Sequence, residues 1–221
     1  MSAVSSGKAS VAWFKLAECM RRGEKERSLS VYRLLVHSLP DKAVAWQLKG
    51  DILAAFSLEN DAADAYAHAA ELFEQNHKYG QAAYAYHCIV HYNPRWYHGY
   101  DVLVRWYAAR GLYKKARTLA DRSVYVLITD KHITRAYEMI QYYKAYFNHL
   151  HIAQLYEVFV CQSLQQAHGI ADRTMINTTI AHTIDTYQQE HKQQALQAFV
   201  DTLATLDEQT YAYAQAYYEK G

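Results

Sequence analysis

Four stretches of this chain carry one spacing of small and bulky residues, and that spacing leaves few folds open. Trp46, Gly50, Ala62, Tyr66 and Ala69 follow one another at steps of 4, 12, 4 and 3 residues. Ala12, Leu16, Ser28, Tyr32 and Leu35 repeat those steps and run on to Pro40. Tyr66, Ala70, Ala82, Tyr86 and Ile89 repeat them again and run on to Pro94, and Tyr100, Val104, Ala116, Ala120 and Ser123 make the fourth copy. A fixed internal spacing of this kind is the mark of a helical repeat. The windows 9–42 and 43–76 are contiguous, as are 63–96 and 97–130, but the second and third overlap by 14 residues. The helix that holds Tyr66 therefore serves two units at once, which predicts a slip in phase at 63–76.

The rest of the chain is compatible with helices throughout. It has 221 residues, only two prolines and eight glycines, and no stretch that alternates apolar and polar between turn signals. The expectation is an all-α fold of about 11–12 helices joined by short loops into antiparallel hairpins. Ser10–Arg21 opens the series, with Trp13, Leu16, Ala17 and Met20 on its inner face, and Gly23 ends it. Asp41 is expected to cap the third helix, Asn60 or Asp61 the fourth and Asp130 the eighth. Gly169 is expected to end the ninth. The tenth, from about Arg173, carries a stripe of Ile176, Ile180, Ile184 and Tyr187.

The residues of the second copy resemble the tetratricopeptide repeat, in which a bulky residue and a small one on the first helix meet an Ala, an aromatic and a second Ala on the next. Trp46, Gly50, Ala62, Tyr66 and Ala69 match, as do Tyr107, Gly111, Tyr113, Ala116 and Ala120 further on. The resemblance implies a right-handed superhelical solenoid of tetratricopeptide-like hairpins over 9–130, with a disordered tail at 1–8. Residues 131–221 are read as divergent helical repeats with a C-terminal capping helix, continuous with the first part. Gly50 and Ala62 are expected to face each other at a close helix crossing, with Trp46 and Tyr66 filling the space beside it. The runs Ala62–Tyr66 and Ala82–Tyr86 are also similar to the helical repeats of soluble membrane-fusion adaptors of the SNAP type, over a shorter span.

The resemblance implies a protein that binds another protein or peptide in a concave groove lined by the first helices, as an adaptor, scaffold or chaperone. Gln47, Asp51, His98, Asp101 and Arg105 are the expected groove residues. The Lys and Asn clamp with which some tetratricopeptide co-chaperones hold an acidic C-terminus is missing, because the matching positions carry Trp13, Ala17, Gln47, Asp51, Asp101 and Arg105. A second expectation comes from charge. Segment 105–122 holds Arg105, Arg110, Lys114, Lys115, Arg117 and Arg122 against Asp121 alone, which is either a solvated helix face or a surface for an anionic ligand or nucleic acid.

Several classes are set aside. Balanced charge, 23 basic against 22 acidic residues, argues against a chain built as a whole to coat nucleic acid. No apolar run approaches the length of a membrane span. The expectation is a cytoplasmic protein with no membrane insertion. Cys19, Cys88 and Cys161 are dispersed and read as buried hydrophobes. His87 and His91 lie one turn apart, with Cys88 beside them, but no further ligand completes a metal site. No phosphate loop, nucleophile elbow or carboxylate pair is present, so neither enzyme activity nor a cofactor is expected. Tyrosine is the outlier, with 21 residues. Those of the last helix either cap the array or offer a docking face. The acidic stretch 185–221 against the basic 105–122 makes a head-to-tail self-association a further expectation.

Overall fold

The computed structural model describes the backbone of residues 3–39, 41–166 and 172–219, and the side chains of 11–39, 41–165 and 172–219. Pro40, read as a unit boundary, and Gly169, read as a helix stop, lie outside the described residues. The described backbone is all-α, with twelve helices and no strand. They are α1 Ala3–Arg21, α2 Lys25–Val36, α3 Lys42–Ala55, α4 Glu59–Gln75, α5 Tyr79–Tyr92 and α6 Tyr97–Ala108, followed by α7 Tyr113–Thr129, α8 Ile133–Tyr143, α9 His149–Gln166, α10 Arg173–Gln189, α11 Gln193–Leu206 and α12 Glu208–Tyr218. The first helix thus reaches back to Ala3, into the segment read as a tail. No described helix is long and apolar enough to cross a membrane.

The chain forms two compact units, Met1–Val102 and Leu103–Gly221. In the first, α4 packs against both α3 and α5, the double role that the overlapping windows predict. Its buried residues Ala62, Ala63, Ala65, Tyr66, Ala69 and Ala70 are matched by Ala82, Ala83, Ala85, Tyr86, Ile89 and Val90 on α5. Small side chains on both helices let the backbones approach, and the Tyr rings fill the space between. In the second unit α7 packs on α8 and α9, α9 on α10 and α11, and α12 on α10 and α11. The Ile176, Ile180, Ile184 and Tyr187 stripe of α10 is buried as predicted. Thr179, Thr183 and Thr186 are buried as well, because each hydroxyl bonds a carbonyl one turn back, at Met175, Thr179 and His182.

Six helix connections share one turn. Gly23, Ser57, His77, Gly111, Lys131 and His191 have positive φ, from 54° to 73°. In each case the N–H of that residue bonds the carbonyl three back, and the next N–H bonds the carbonyl five back, as in Ser57 to Ala54 and Leu58 to Leu53. This is the Schellman arrangement, which satisfies the last carbonyls of a helix with backbone alone. The residue that closes it is already the N-cap of the next helix: Glu24, Leu58, Lys78, Leu112, His132 and Lys192. From Gly23 to Ser57 is a step of 34 residues, from Ser57 to His77 of 20, from His77 to Gly111 of 34 and from Gly111 to Lys131 of 20. The offsets between the sequence windows are the same. Beyond Lys131 the next such turn among the described residues is at His191, which does not continue the alternation of 34 and 20.

This turn also corrects two predicted caps. Helix α4 begins at Glu59 with Leu58 as N-cap, not at Asn60 or Asp61, and no side chain bonds its end. Asp130 is the C-cap of α7, and His132 is the N-cap of α8. Side-chain caps occur at three other helix starts. Asp41 accepts from Ala43 N at 2.8 Å, as predicted, Asp172 accepts from Thr174 N at 2.8 Å, and Asp207 accepts from Thr210 N at 2.8 Å. One predicted face is corrected too. On α1, Leu16 and Cys19 are buried, whereas Ala17 and Trp13 are exposed. The helix turns its Ala12, Leu16 and Met20 side toward Val31, Leu35 and Ile52.

Tyrosine hydroxyls tie the hairpins together. Tyr32 donates to Ala45 O at 3.0 Å, Tyr66 to Asp51 at 2.6 Å, Tyr187 to Glu157 at 2.6 Å and Tyr217 to Asp185 at 3.0 Å. Ser123 and Tyr143 share a bond of 2.9 Å, and Gln141 donates to Tyr156. A ring that fills the wide part of a helix crossing carries its hydroxyl to the neighbouring helix, where it must find a partner. That repeated use accounts for Tyr32, Tyr66, Tyr143, Tyr156, Tyr187 and Tyr217.

Candidate functional site

In the first unit the sequence places Gly50 and Asp51 in the middle of α3, and α4 lays the ring of Tyr66 across them. A Cβ added at Gly50 would lie 2.9 Å from three atoms of that ring. The closest approach to Gly50 is therefore made by the Tyr66 ring. Tyr66 is 2% exposed, and its hydroxyl donates to Asp51 Oδ1. Burial, followed by the Asp51 carboxylate, pushes the Tyr66 phenol far above its ordinary range. On the other side α5 supplies Tyr84 and Cys88, one turn apart, and then Tyr92. The Tyr92 ring stacks on that of Tyr66 with centroids 6.1 Å apart and planes 3° from parallel. Cys88 lies close enough to Tyr84 and Tyr66 for both hydroxyls to act on its thiol. Its proximity, by charge and then by hydrogen bond, pushes the half-exposed Tyr84 up to about 12, while burial pushes the Cys88 thiol itself up.

Asp51 is half-buried in this setting, with Tyr66, Tyr84 and Cys88 as the ionisable groups that sense it. Among the described residues no lysine, arginine or histidine pairs with it. Gln47 precedes it by one turn on the same helix and is also half-buried. Beside them Trp46 lies 4.5 Å from the His68 ring and has Lys49 Nζ at 4.6 Å.

The remaining predicted groove residues sit on α6. His98 is exposed and edge-on to Tyr86 and Trp96, at 6.4 and 5.4 Å. Trp96 stacks on Tyr86 at 5.5 Å, and Gly99 is needed there, since a Cβ would meet Trp96 and Val90 at 2.7 Å. Asp101 Oδ1 is buried without a hydrogen-bond partner among the described residues. Arg105 is exposed. The residues that gather around Asp51 are tyrosines and a cysteine of α4 and α5, not His98 or Asp101. Sequence reasoning assigned Tyr66 to packing and did not single out Tyr84 or Tyr92. The readable signal was the Tyr84–Cys88 spacing of one helical turn.

The second unit holds a related trio that the sequence did not mark as a site. Tyr187 of α10 donates to Glu157 of α9, and Cys161 lies one turn along α9. Burial, then the Glu157 hydrogen bond, raises the Tyr187 phenol; burial, then the Glu157 charge, pushes the Cys161 thiol up to about 11. Here a cation is built in. The charge of Arg117, from α7, acts on Tyr187 and on His151, and its Nε lies 3.9 Å from Asp121. Burial holds the Asp121 carboxyl above its ordinary range and His151 below its own.

The basic segment is partly committed within the unit. Arg110 lies over the Trp106 ring at 4.0 Å, Lys115 Nζ is 5.5 Å from the Tyr107 ring, and Arg117 faces Asp121. Arg105, Lys114 and Arg122 are exposed. In the last helix Tyr213 stacks on Tyr217, and Thr210 and Ala214 are buried. All three cysteines are free thiols. Among the described residues no group of three or more His, Cys, Asp or Glu could hold a metal ion.

No protein-family model and no curated protein sequence matches the chain. Among solved structures it is similar to BtubC (BKLC) from P. vanneervenii, at 11% identity, with 93% of this chain and 91% of that chain covered and a TM-score of 0.29. The likeness is weak.

Proposed function

We propose that the chain is a non-catalytic interaction module, built as a solenoid of tetratricopeptide-like hairpins, that binds a segment of another protein. The 34-residue and 20-residue steps between Schellman turns support the hairpin reading, because both steps recur along the backbone and in the side-chain spacing. The observation that carries the function is the Asp51 site. It is a half-buried carboxylate with one oxygen bonded by Tyr66, walled by tyrosine rings, on a scaffold held close by Gly50. A half-buried carboxylate with a tyrosine donor on one oxygen, and no ion pair among the described residues, can take a further donor from an incoming group.

The test is selection from a random-sequence peptide display library on the immobilised full chain. Discrete segments are expected to be enriched, and their capture should fall with Gln47→Ala and Asp51→Ala. No enrichment, or enrichment indifferent to both variants, overturns the reading. An anionic ligand on Arg105, Lys114 and Arg122 is the alternative, favoured by their exposure. It predicts enrichment of acidic segments with a steep salt dependence.

A further inference from the structure

The two carboxylate–tyrosine–thiol trios differ in one charge. The charge of Arg117 acts on Tyr187 beside Glu157, whereas among the described residues no lysine, arginine or histidine forms an ion pair with Asp51, and Lys49 of the same helix lies against the Trp46 ring instead. The groups around Asp51 are a hydrogen-bond donor on one oxygen, the rings of Tyr66 and Tyr92, the half-exposed Tyr84 and the Cys88 thiol. None of these is positive, and aromatic faces beside a carboxylate favour a cation twice over, through the ring quadrupole and through the charge.

We infer that the Asp51 site receives a lysine or arginine side chain of the bound segment, which supplies in trans the positive charge that Arg117 supplies within the second unit. An acidic residue is refused there by Asp51 itself. An apolar residue would bring no donor to the second carboxylate oxygen. The inference rests on the proposed docking face, and it names the chemistry of the residue that the face selects.

Fluorescence anisotropy with labelled hexalysine and hexaglutamate tests it, alongside the segments selected by display. Asp51→Asn is the informative variant, since the amide oxygen still accepts from Tyr66 while the charge is gone. Hexalysine is expected to bind the wild type at low ionic strength and to lose about tenfold in affinity with Asp51→Asn, as for a charge-assisted contact removed. Glu157→Gln, whose site already has its cation, should change it less than twofold. An unaltered melting temperature separates a lost contact from a lost fold. Equal binding of hexalysine to wild type and Asp51→Asn overturns the inference, as does a preference for hexaglutamate. If display enriches segments without lysine or arginine, this inference fails and the docking face stands; if it enriches nothing, both fall.

Discussion

The first and second units solve one problem in two ways. Each buries a tyrosine at a helix crossing and must satisfy its hydroxyl, and each uses a carboxylate with a thiol nearby. In the first unit the three groups come from three successive helices: Asp51 of α3, Tyr66 of α4 and Cys88 of α5. In the second, Glu157 and Cys161 share α9, and Tyr187 comes from α10. The chain order differs, so the recurrence reflects the needs of a buried phenol rather than a copied motif. The difference that matters is Arg117. The second trio feels a cation within its own unit, whereas the first is proposed to take one from a bound segment.

The largest expected effect breaks the first site from beneath. Gly50→Ala would place a Cβ 2.9 Å from a ring that is 2% exposed and tethered to Asp51, so the ring cannot swing aside cheaply. A loss of about 1–3 kcal/mol in urea unfolding is expected from this overpacking. Gly80→Ala is the matched control, since a Cβ there meets nothing within 4 Å. It should gain up to ~1 kcal/mol from helix propensity. If both variants behave alike, Gly50 is not a packing requirement and the geometry of the site is wrong.

A smaller effect compares the two tyrosines directly. Tyr66→Phe leaves Asp51 half-buried with neither donor nor cation, and is expected to cost about 1–3 kcal/mol. Tyr187→Phe leaves Glu157 in a site that the charge of Arg117 reaches at Tyr187, and should cost less. Adding Arg117→Gln to Tyr187→Phe should remove that advantage, and a double-mutant cycle on chemical denaturation measures it. Equal losses for Tyr66→Phe and Tyr187→Phe would show that Arg117 compensates nothing, and the contrast between the units would lose its basis.

These sites were unequally legible. The 34-residue and 20-residue steps could be read from Trp46, Gly50 and Tyr66 and their counterparts, because small residues at close crossings recur wherever the backbone repeats. Gly50 and Asp51 were both singled out, as a packing residue and a groove residue. Tyr84 and Tyr92 were not, because their roles depend on where α5 crosses α4, and single-helix periodicity does not encode that. The caps at Asn60, Asp61 and Asp130 failed for a local reason. A positive-φ turn at Ser57 and at Lys131 needs no glycine in the sequence to announce it, and its backbone bonds displaced the side-chain caps. The Glu157–Tyr187 pair was hidden inside an apolar stripe, where Tyr187 reads as one more core residue.

The smallest expected effect compares two capping aspartates. Asp41, N-cap of α3, pairs with Lys78 at the start of α5, and Asp207, N-cap of α12, pairs with Arg173 at the start of α10. Each ties together two helices that are not consecutive. The Lys78 hydrogen bond holds the Asp41 carboxyl below its ordinary range; the Arg173 hydrogen bond, then that from Thr210, brings Asp207 down to about 2. A carboxyl depressed in the folded state contributes stability above its unfolded pKa of 3.8 and loses it as pH falls through the folded value, so the Asp207 contribution drains away between 3.8 and about 2. Both partners of the pair are partly exposed, at 51% for Arg173 and 26% for Asp207. After allowance for solvent screening its worth is ~0.5–1 kcal/mol. Asp207→Asn keeps an acceptor for Thr210 N and removes the charge. Its melting temperature should fall slightly at neutral pH and converge with the wild type at the acid end of that window. Raised salt should shrink the difference. Asp41→Asn should show the same sign, with the convergence set by a different partner. A variant gap that persists undiminished to the lowest pH would mean that Asp207 acts through shape alone, and the charge would then have no part in joining α10 to α12.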